Sequence, residues 1–292
     1  VSTLGDLINT IASSLHSYTG VQEISTHLTA GITASVTSAS VDSSDQVMRG
    51  IVEIDDELLY VTIADSNVLT IAPYGRGYRG STAATHSTNA QVLVDPTFPR
   101  SEIRKAIDQC VLGLYPQLYQ IKTTDLVAST TAVGYSLPAD CGHVLDVKFQ
   151  TTGDPADYWA PLYNYSFDAS SPEVNGKALN LFDSLPPNST IRVVYQAAFG
   201  TFASNSDTLT SIGLKEDWID LILYQVASRM VRFLDPARLN LRYVENVSRS
   251  QVVQAGDAGK IANQLYAMYQ QRLAEERKKL LEITPTRINF TR

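Results

Sequence analysis

The chain has 292 residues, a formal charge of −7 and a hydrophobic fraction of 44%. That composition fits a globular chain able to bury a sizeable core and excludes a disordered one. No run approaches the ~20 apolar residues of a membrane span. The two cysteines, Cys110 and Cys141, make no disulfide framework, which points to synthesis in a reducing cytosol.

The charge is unevenly spread. Up to Phe98 the basic side chains are Arg49, Arg76 and Arg79, set against ten carboxylates. From Leu214 onward arginine and lysine dominate. One end is acidic and the other basic, a polarity that suits contacts between subunits or, equally, two solvated faces.

Leu4, Leu7, Ile8, Ile11 and Leu15 recur at three- and four-residue steps and predict a helix over 3–16. The opening segment lacks the basic start and continuous apolar run of a signal peptide, and a first residue of Val suggests a removed initiator Met. Ile32, Ala34 and Val36 alternate, predicting a strand and then a loop. Alternation on both sides of Asp55-Asp56 predicts a hairpin, with Val68–Pro73 and Gln91–Val94 as further strands. Asp55, Asp56 and Glu57 read as a solvated turn. These elements form a small β-module over 31–98, after an N-terminal helix and linker over 1–30.

Gly75, Gly77 and Gly80 match G-x-G-x-x-G. A dinucleotide fingerprint needs a helix directly after the glycines, and here small residues lead into a strand, so nucleotide binding is not expected. The glycines serve the turn instead. His86, with no second ligand at metal spacing, is expected to bond a neighbouring loop.

The stretch Pro99–Gln120 organises the chain. Ile103, Ala106, Ile107, Cys110, Val111, Leu114 and Leu118 form one apolar stripe, with Ser101 a candidate N-cap and Pro116 near the end. A β-rich region over 123–205 follows, with strands expected at His143–Phe149, Trp159–Phe167, Lys177–Phe182 and Thr190–Phe199, in meander order. Residues 214–234 are apolar nearly all round, so they are buried on more than one side: inside the monomer or against a second subunit. A polar linker leads to a last helix over 260–282, in which Glu275 and Lys279 are placed to pair. Thr284-Pro285 ends it, and the tail over 284–292, with Ile288 and Phe290 alternating, is suited to strand addition.

The fold class is therefore α+β: a helical hub (3–16, 99–120, 214–234, 260–282) carrying two inserted antiparallel β-modules. The segments in order are 1–30, 31–98, 99–122, 123–205, 206–283 and 284–292.

The run Gly50, Val52, Ile54, Glu57, followed by Arg76, Gly77, Gly80, Ser81, Ala83, His86, Ala90 and Val92, resembles a small β-module of tailed-bacteriophage virion proteins. Arg104, Ile107, Leu114, Tyr115 and Pro116 resemble a helix of phage head-to-tail connectors. The order of Leu137-Pro138-Ala139-Asp140, a strand, Trp159-Ala160-Pro161-Leu162 and Arg192-Val193-Val194-Tyr195 looks like their β-domain. Most of the chain is thus similar to head-to-tail connector (adaptor, head completion) proteins.

The resemblance implies a virion structural protein of the neck, made in the host cytoplasm. Its partners would be copies of itself in a dodecameric ring, the portal protein, and a tail-side neck or tail terminator protein. Double-stranded DNA would pass through the lumen without specific binding, repelled by acidic walls. The portal or subunit interface would use Trp218, Leu223, Tyr224, Val231, Leu265, Tyr269, Leu273, Arg277, Ile288 and Phe290. Arg76, Gly77, Gly80 and His86 would form the β-module turn. The alternative is a baseplate or host-surface binding protein, which would be mostly β. His16, His27, His86 and His143 are scattered, and no nucleophile or acid–base pair stands out, so no enzyme, metal or cofactor is expected.

Overall fold

In a computed structural model the described residues are 2–18, 23–129, 134–156, 158–173, 175–232, 234 and 257–283. They form an α+β fold with four α-helices and antiparallel sheets. The helices are α1 (Leu4–His16), α2 (Arg100–Leu114), α3 (Ile219–Arg232) and α4 (Asp257–Ile283).

Helix α1 starts where a capping box forms: the Thr3 hydroxyl accepts from the Asp6 N–H at 3.1 Å, and Asp6 accepts from the Thr3 N–H at 3.0 Å. Its five apolar residues face α2 and α3, and α3 in turn packs along α4. One apolar core runs through all four helices and takes in Phe98, Leu118, Phe199, Phe202 and Leu209 from the connections.

Helix α2 is shorter than its apolar stripe. It stops at Leu114 because Pro116 disfavours helical backbone at Tyr115, which is extended. Ser101 is not its cap: Pro99 holds that position, and the Ser101 hydroxyl is buried without a partner. The helix over 214–234 also begins late. Gly213, at φ +86°, closes a short 3-10 turn, a second such turn spans Glu216–Trp218, and α3 starts at Ile219.

The small β-module contains β1 (Ile24–His27), β2 (Ser38–Ser40), β3 (Gly50–Ile54), β4 (Glu57–Asp65), β5 (Val68–Ile71) and β6 (Gln91–Val94), in the order β1-β6-β3-β4-β5-β2. The ends meet. Thr29 N–H donates to Ser40 O at 2.9 Å and Asp42 N–H to His27 O at 3.0 Å, so a single antiparallel bridge, Leu28 to Val41, joins the two ends and curls the sheet into a small barrel. Leu28, Val41, Val52, Ile54, Leu59, Val61, Leu69 and Val92 fill it. Residues 32–36 are not the expected strand. Only Ile32 bridges, to His86, and the barrel recruits residues on either side of that segment instead.

The second β-region holds β7 (Gln120–Val127), β8 (Gly134–Ser136), β9 (Cys141–Gln150), β10 (Ala160–Pro161), β11 (Tyr165–Asp168), β12 (Ala178–Leu181) and β13 (Thr190–Ala197). It is not a meander. One sheet runs β10-β9-β13-β7 and the other β11-β12-β8, around a shared core. The first and last strands pair along their whole length, Val127 opposite Thr190 through Gln120 opposite Ala197, so the insertion leaves and returns at one place. The expected strand Trp159–Phe167 is split: Pro161 lacks an N–H and sits on an edge, and the chain then crosses to the other sheet at Tyr165.

Candidate functional site

The most densely bonded group of side chains lies at one end of the barrel. Glu57 opens β4 just after the turn residue Asp55, which adopts φ +53°. Its carboxylate is fully buried and accepts from Arg76 Nε at 2.7 Å, Arg76 Nη2 at 2.8 Å, Gly77 N–H at 2.9 Å, Ala84 N–H at 2.9 Å and His86 Nε2 at 2.9 Å. Arg76 spends its remaining donors on the carbonyls of Thr33, Val36 and Ala84. His86 donates from Nδ1 to Asp55 at 2.7 Å, and its backbone pairs both ways with Ile32.

Asp55 and Asp56 do make the turn, and Asp55 is exposed, but the reading of 55–57 as a solvated turn fails at Glu57, which is buried. Five donors converge on Glu57, and burying the carboxylate is tolerable only because all of them are there. Burial alone would raise its pKa, but the bonds from Arg76, His86 and the two N–H groups hold it well below the usual carboxylate range. Burial opposes charge on His86 too, yet the hydrogen bonds to Glu57 and Asp55 raise its pKa. Each ring nitrogen faces a carboxylate oxygen, so both are placed to donate. The glycines are there for the backbone. Gly77 sits at φ +59° and Gly80 at φ +75°, and a Cβ on Gly75 would meet the carbonyls of Ala72 and Tyr60 at 2.8 Å. Arg76, Gly77 and His86 thus meet at Glu57, while Gly80 ends the short 3-10 turn over Tyr78–Gly80, and the network consumes the acceptor capacity of Glu57 rather than offering it to a reacting group.

The same end of the barrel meets the helices. Glu53 Oε1 accepts from the Arg100 N–H at 2.6 Å and so takes the capping position on α2. Burial pushes Glu53 up to about 8, which leaves it a neutral carboxyl at pH 7, with Oε2 buried and without a partner. Arg100 pairs with Asp56 at 3.0 Å, and Asn205 donates to Asp56 as well. Beside this seam lies a cleft of about 620 Å³ between the turn and the α2 face carrying Ser101, Arg104, Lys105 and Asp108. Glu53 escaped the sequence reading because it sits mid-strand among apolar residues with no partner nearby in sequence.

The residues expected at an intersubunit interface separate into four groups. Trp218, Val231, Leu265, Tyr269 and Leu273 are buried in the chain's own helical core. Leu223 and Tyr224 are half-buried against that core, and Arg277 is exposed. Ile288 and Phe290 lie outside the described residues, as do the rest of the tail and the linker over 235–256. The Trp218 indole N–H donates to buried Glu276 at 2.9 Å, and Glu276 is also held by Arg272 at 2.9 Å and Lys279 at 2.7 Å. Lys279 thus pairs with Glu276 and not with Glu275, which bonds Arg272 instead.

Cys110 and Cys141 are buried free thiols, which burial pushes up to about 12 and about 11. Cys141 is buried while His143 is exposed, so they do not share a face; the β9–β13 pairing slips between them. Among the described residues, no three His, Cys, Asp or Glu side chains are grouped to hold a metal, and no helix is long and apolar enough to cross a membrane. No family model and no curated protein matches this chain.

Proposed function

We propose that this chain is a structural subunit of a tailed-phage neck, a head-to-tail connector that forms a ring under the portal and continues the DNA channel. The observation that carries the reading is the shared helical core. Helices from the start, middle and end of the chain pack as one body, and both β-units leave that body and return to it. Such a body acts as a hub from which the β-units project. The motif resemblance from Gly50 to Val92 supports the same reading, since its residues are the ones that tie the barrel turn together.

Ring contacts would come from side chains the monomer leaves uncovered. On α4 these are Tyr266, Met268, Arg277, Leu281 and Ile283, with Leu223 and Tyr224 half-covered on α3. The barrel segment 24–98 carries eight carboxylates against three arginines, a balance that favours passage of DNA over retention.

The test is a mass measurement of the purified chain, alone and mixed with the portal of its own phage, followed by imaging of the neck with a tag at Arg292. A ring seated between portal and tail is expected. A chain that stays monomeric and never joins the portal defeats the reading, and one that binds host cells instead replaces it with a host-surface role.

A further inference from the structure

A second cleft, of about 510 Å³, opens between α2 and α3 and is lined by Lys105, Arg229 and Arg232 over an apolar floor of Ala106 and Met230. Among the described residues its three cations bond neutral oxygens. Lys105 Nζ donates to the Arg79 carbonyl at 3.2 Å, Arg229 to the Gln109 amide oxygen at 3.1 Å, and Arg232 to the Asn263 amide oxygen at 3.2 Å. Among the described residues no carboxylate pairs with any of them, and Glu102 on the rim faces Arg79, 4.0 Å away. In a chain of net charge −7, this is a concentration of positive charge with room beside it.

The barrel presents the complementary surface at its other end. Strand β4 runs nine residues from the seam at Glu57 to Asp65, roughly 30 Å at about 3.3 Å per residue. At that far tip the β4–β5 turn and the loop after β2 are tied together, Val41 N–H to Asn67 O at 2.9 Å and Ser44 N–H to the Asn67 side chain at 3.1 Å. Asp42, Asp45 and Asp65 are exposed there, with Met48 (80% exposed) in the loop before β3 and Ile63 (58% exposed) on β4. The tip is acidic with apolar neighbours; the cleft is basic with an apolar floor.

We infer that the acidic barrel tip of one copy seats in the Lys105–Arg229–Arg232 cleft of the next. Lys105 also lines the seam cleft, so the basic site begins beside the near end of its own barrel, and its own tip points away from it. The contact is therefore between copies. It joins two different surfaces, which is the heterologous geometry that closes into a ring or runs on as a filament. A duplex backbone is the weaker candidate for the cleft, because the site is small and floored by Ala106 and Met230. This inference rests on the ring reading above and names its contact.

The test uses the full chain, in sedimentation velocity at low salt and at about 0.5 M salt. Lys105→Glu/Arg232→Glu reverses two exposed cleft charges, and Asp42→Lys/Asp65→Lys reverses the tip. Each variant, with a circular dichroism spectrum like that of the wild type, is expected to lose self-association at least tenfold. An equimolar mixture of the two, in which each reversed surface meets its opposite, is expected to recover it. Variants that assemble as well as the wild type overturn the inference while leaving the ring standing. So does a cleft variant that assembles normally but loses retention of duplex DNA. A wild type that remains monomeric with and without the portal overturns both.

Discussion

Glu57 and Arg76 meet through two parallel hydrogen bonds, 2.7 Å and 2.8 Å long, with the carboxylate fully buried and the guanidinium 10% exposed. Removing either partner strands a buried charge, which typically costs about 3–5 kcal/mol. Arg76→Ala should therefore cost about that much in urea unfolding followed by far-UV circular dichroism. Arg76→Lys should recover only part of it, because an ammonium cannot reach both carboxylate oxygens and three carbonyls at once. A double Glu57→Leu/Arg76→Leu variant should cost less than the two single changes added together.

The strand pairs of the barrel were legible because their alternation is local: β3, β4 and β6 fall where Gly50–Ile54, Glu57–Asp65 and Gln91–Val94 alternate. The motif around Arg76 and His86 was visible as well, but not its purpose, since the carboxylate it serves is 19 residues away in sequence. Barrel closure was hidden because β1 and β2 are short, and their pairing depends on the loop that His86 anchors to Ile32. The order of the second β-region was hidden for a similar reason: β13 reaches back past several strands to pair with both β9 and β7. Stripes on α3 and α4 announced burial without saying against what, and it is largely against each other.

Stability should depend on pH through three groups, with signs that follow from their shifts. Glu57 is depressed, so its contribution is present above its ordinary pKa of 4.5 and is lost as pH falls toward its folded value. His86 is raised, so its contribution is complete below 6.5 and is lost as pH rises through its folded value. Glu53 is raised to about 8, so its neutral form favours folding less and less from pH 4.5 up to about 8. Melting temperature should therefore peak between about pH 4.5 and 6.5 and fall on the alkaline side. Glu53→Gln keeps the acceptor for the Arg100 N–H without the ionisation. Its melting temperature should gain on the wild type steadily as pH rises from 5 to about 8, and a constant difference across that range would disprove this assignment.

The two thiols should be inert while the chain is folded. Burial pushes Cys110 up to about 12 and Cys141 to about 11, so neither is a thiolate at pH 8. Iodoacetamide at pH 8 should leave both unmodified by mass spectrometry and modify both once urea unfolds the chain. Cys110 should be the slower to respond to partial unfolding, because it lies in the core shared by the helices and bonds the Gln225 side chain, whereas Cys141 lies between the two sheets of the second β-region.

Trp218 decides whether the α3–α4 contact belongs to the monomer. Its ring packs edge-on against Phe199 at 5.5 Å, and its N–H reaches Glu276 inside the chain. Trp218→Phe keeps most of the packing, and Glu276 retains Arg272 and Lys279, so the loss should be that of one hydrogen bond to a charged group, about 1.5–3 kcal/mol. Trp218→Ala opens a cavity between α3, α4 and the connection at Phe199 and should cost more, about 3–5 kcal/mol. Both losses should appear in thermal unfolding of dilute protein and be independent of its concentration. A loss that shrinks on dilution would instead place the tryptophan at a contact between copies, where the sequence pattern alone allowed it to be.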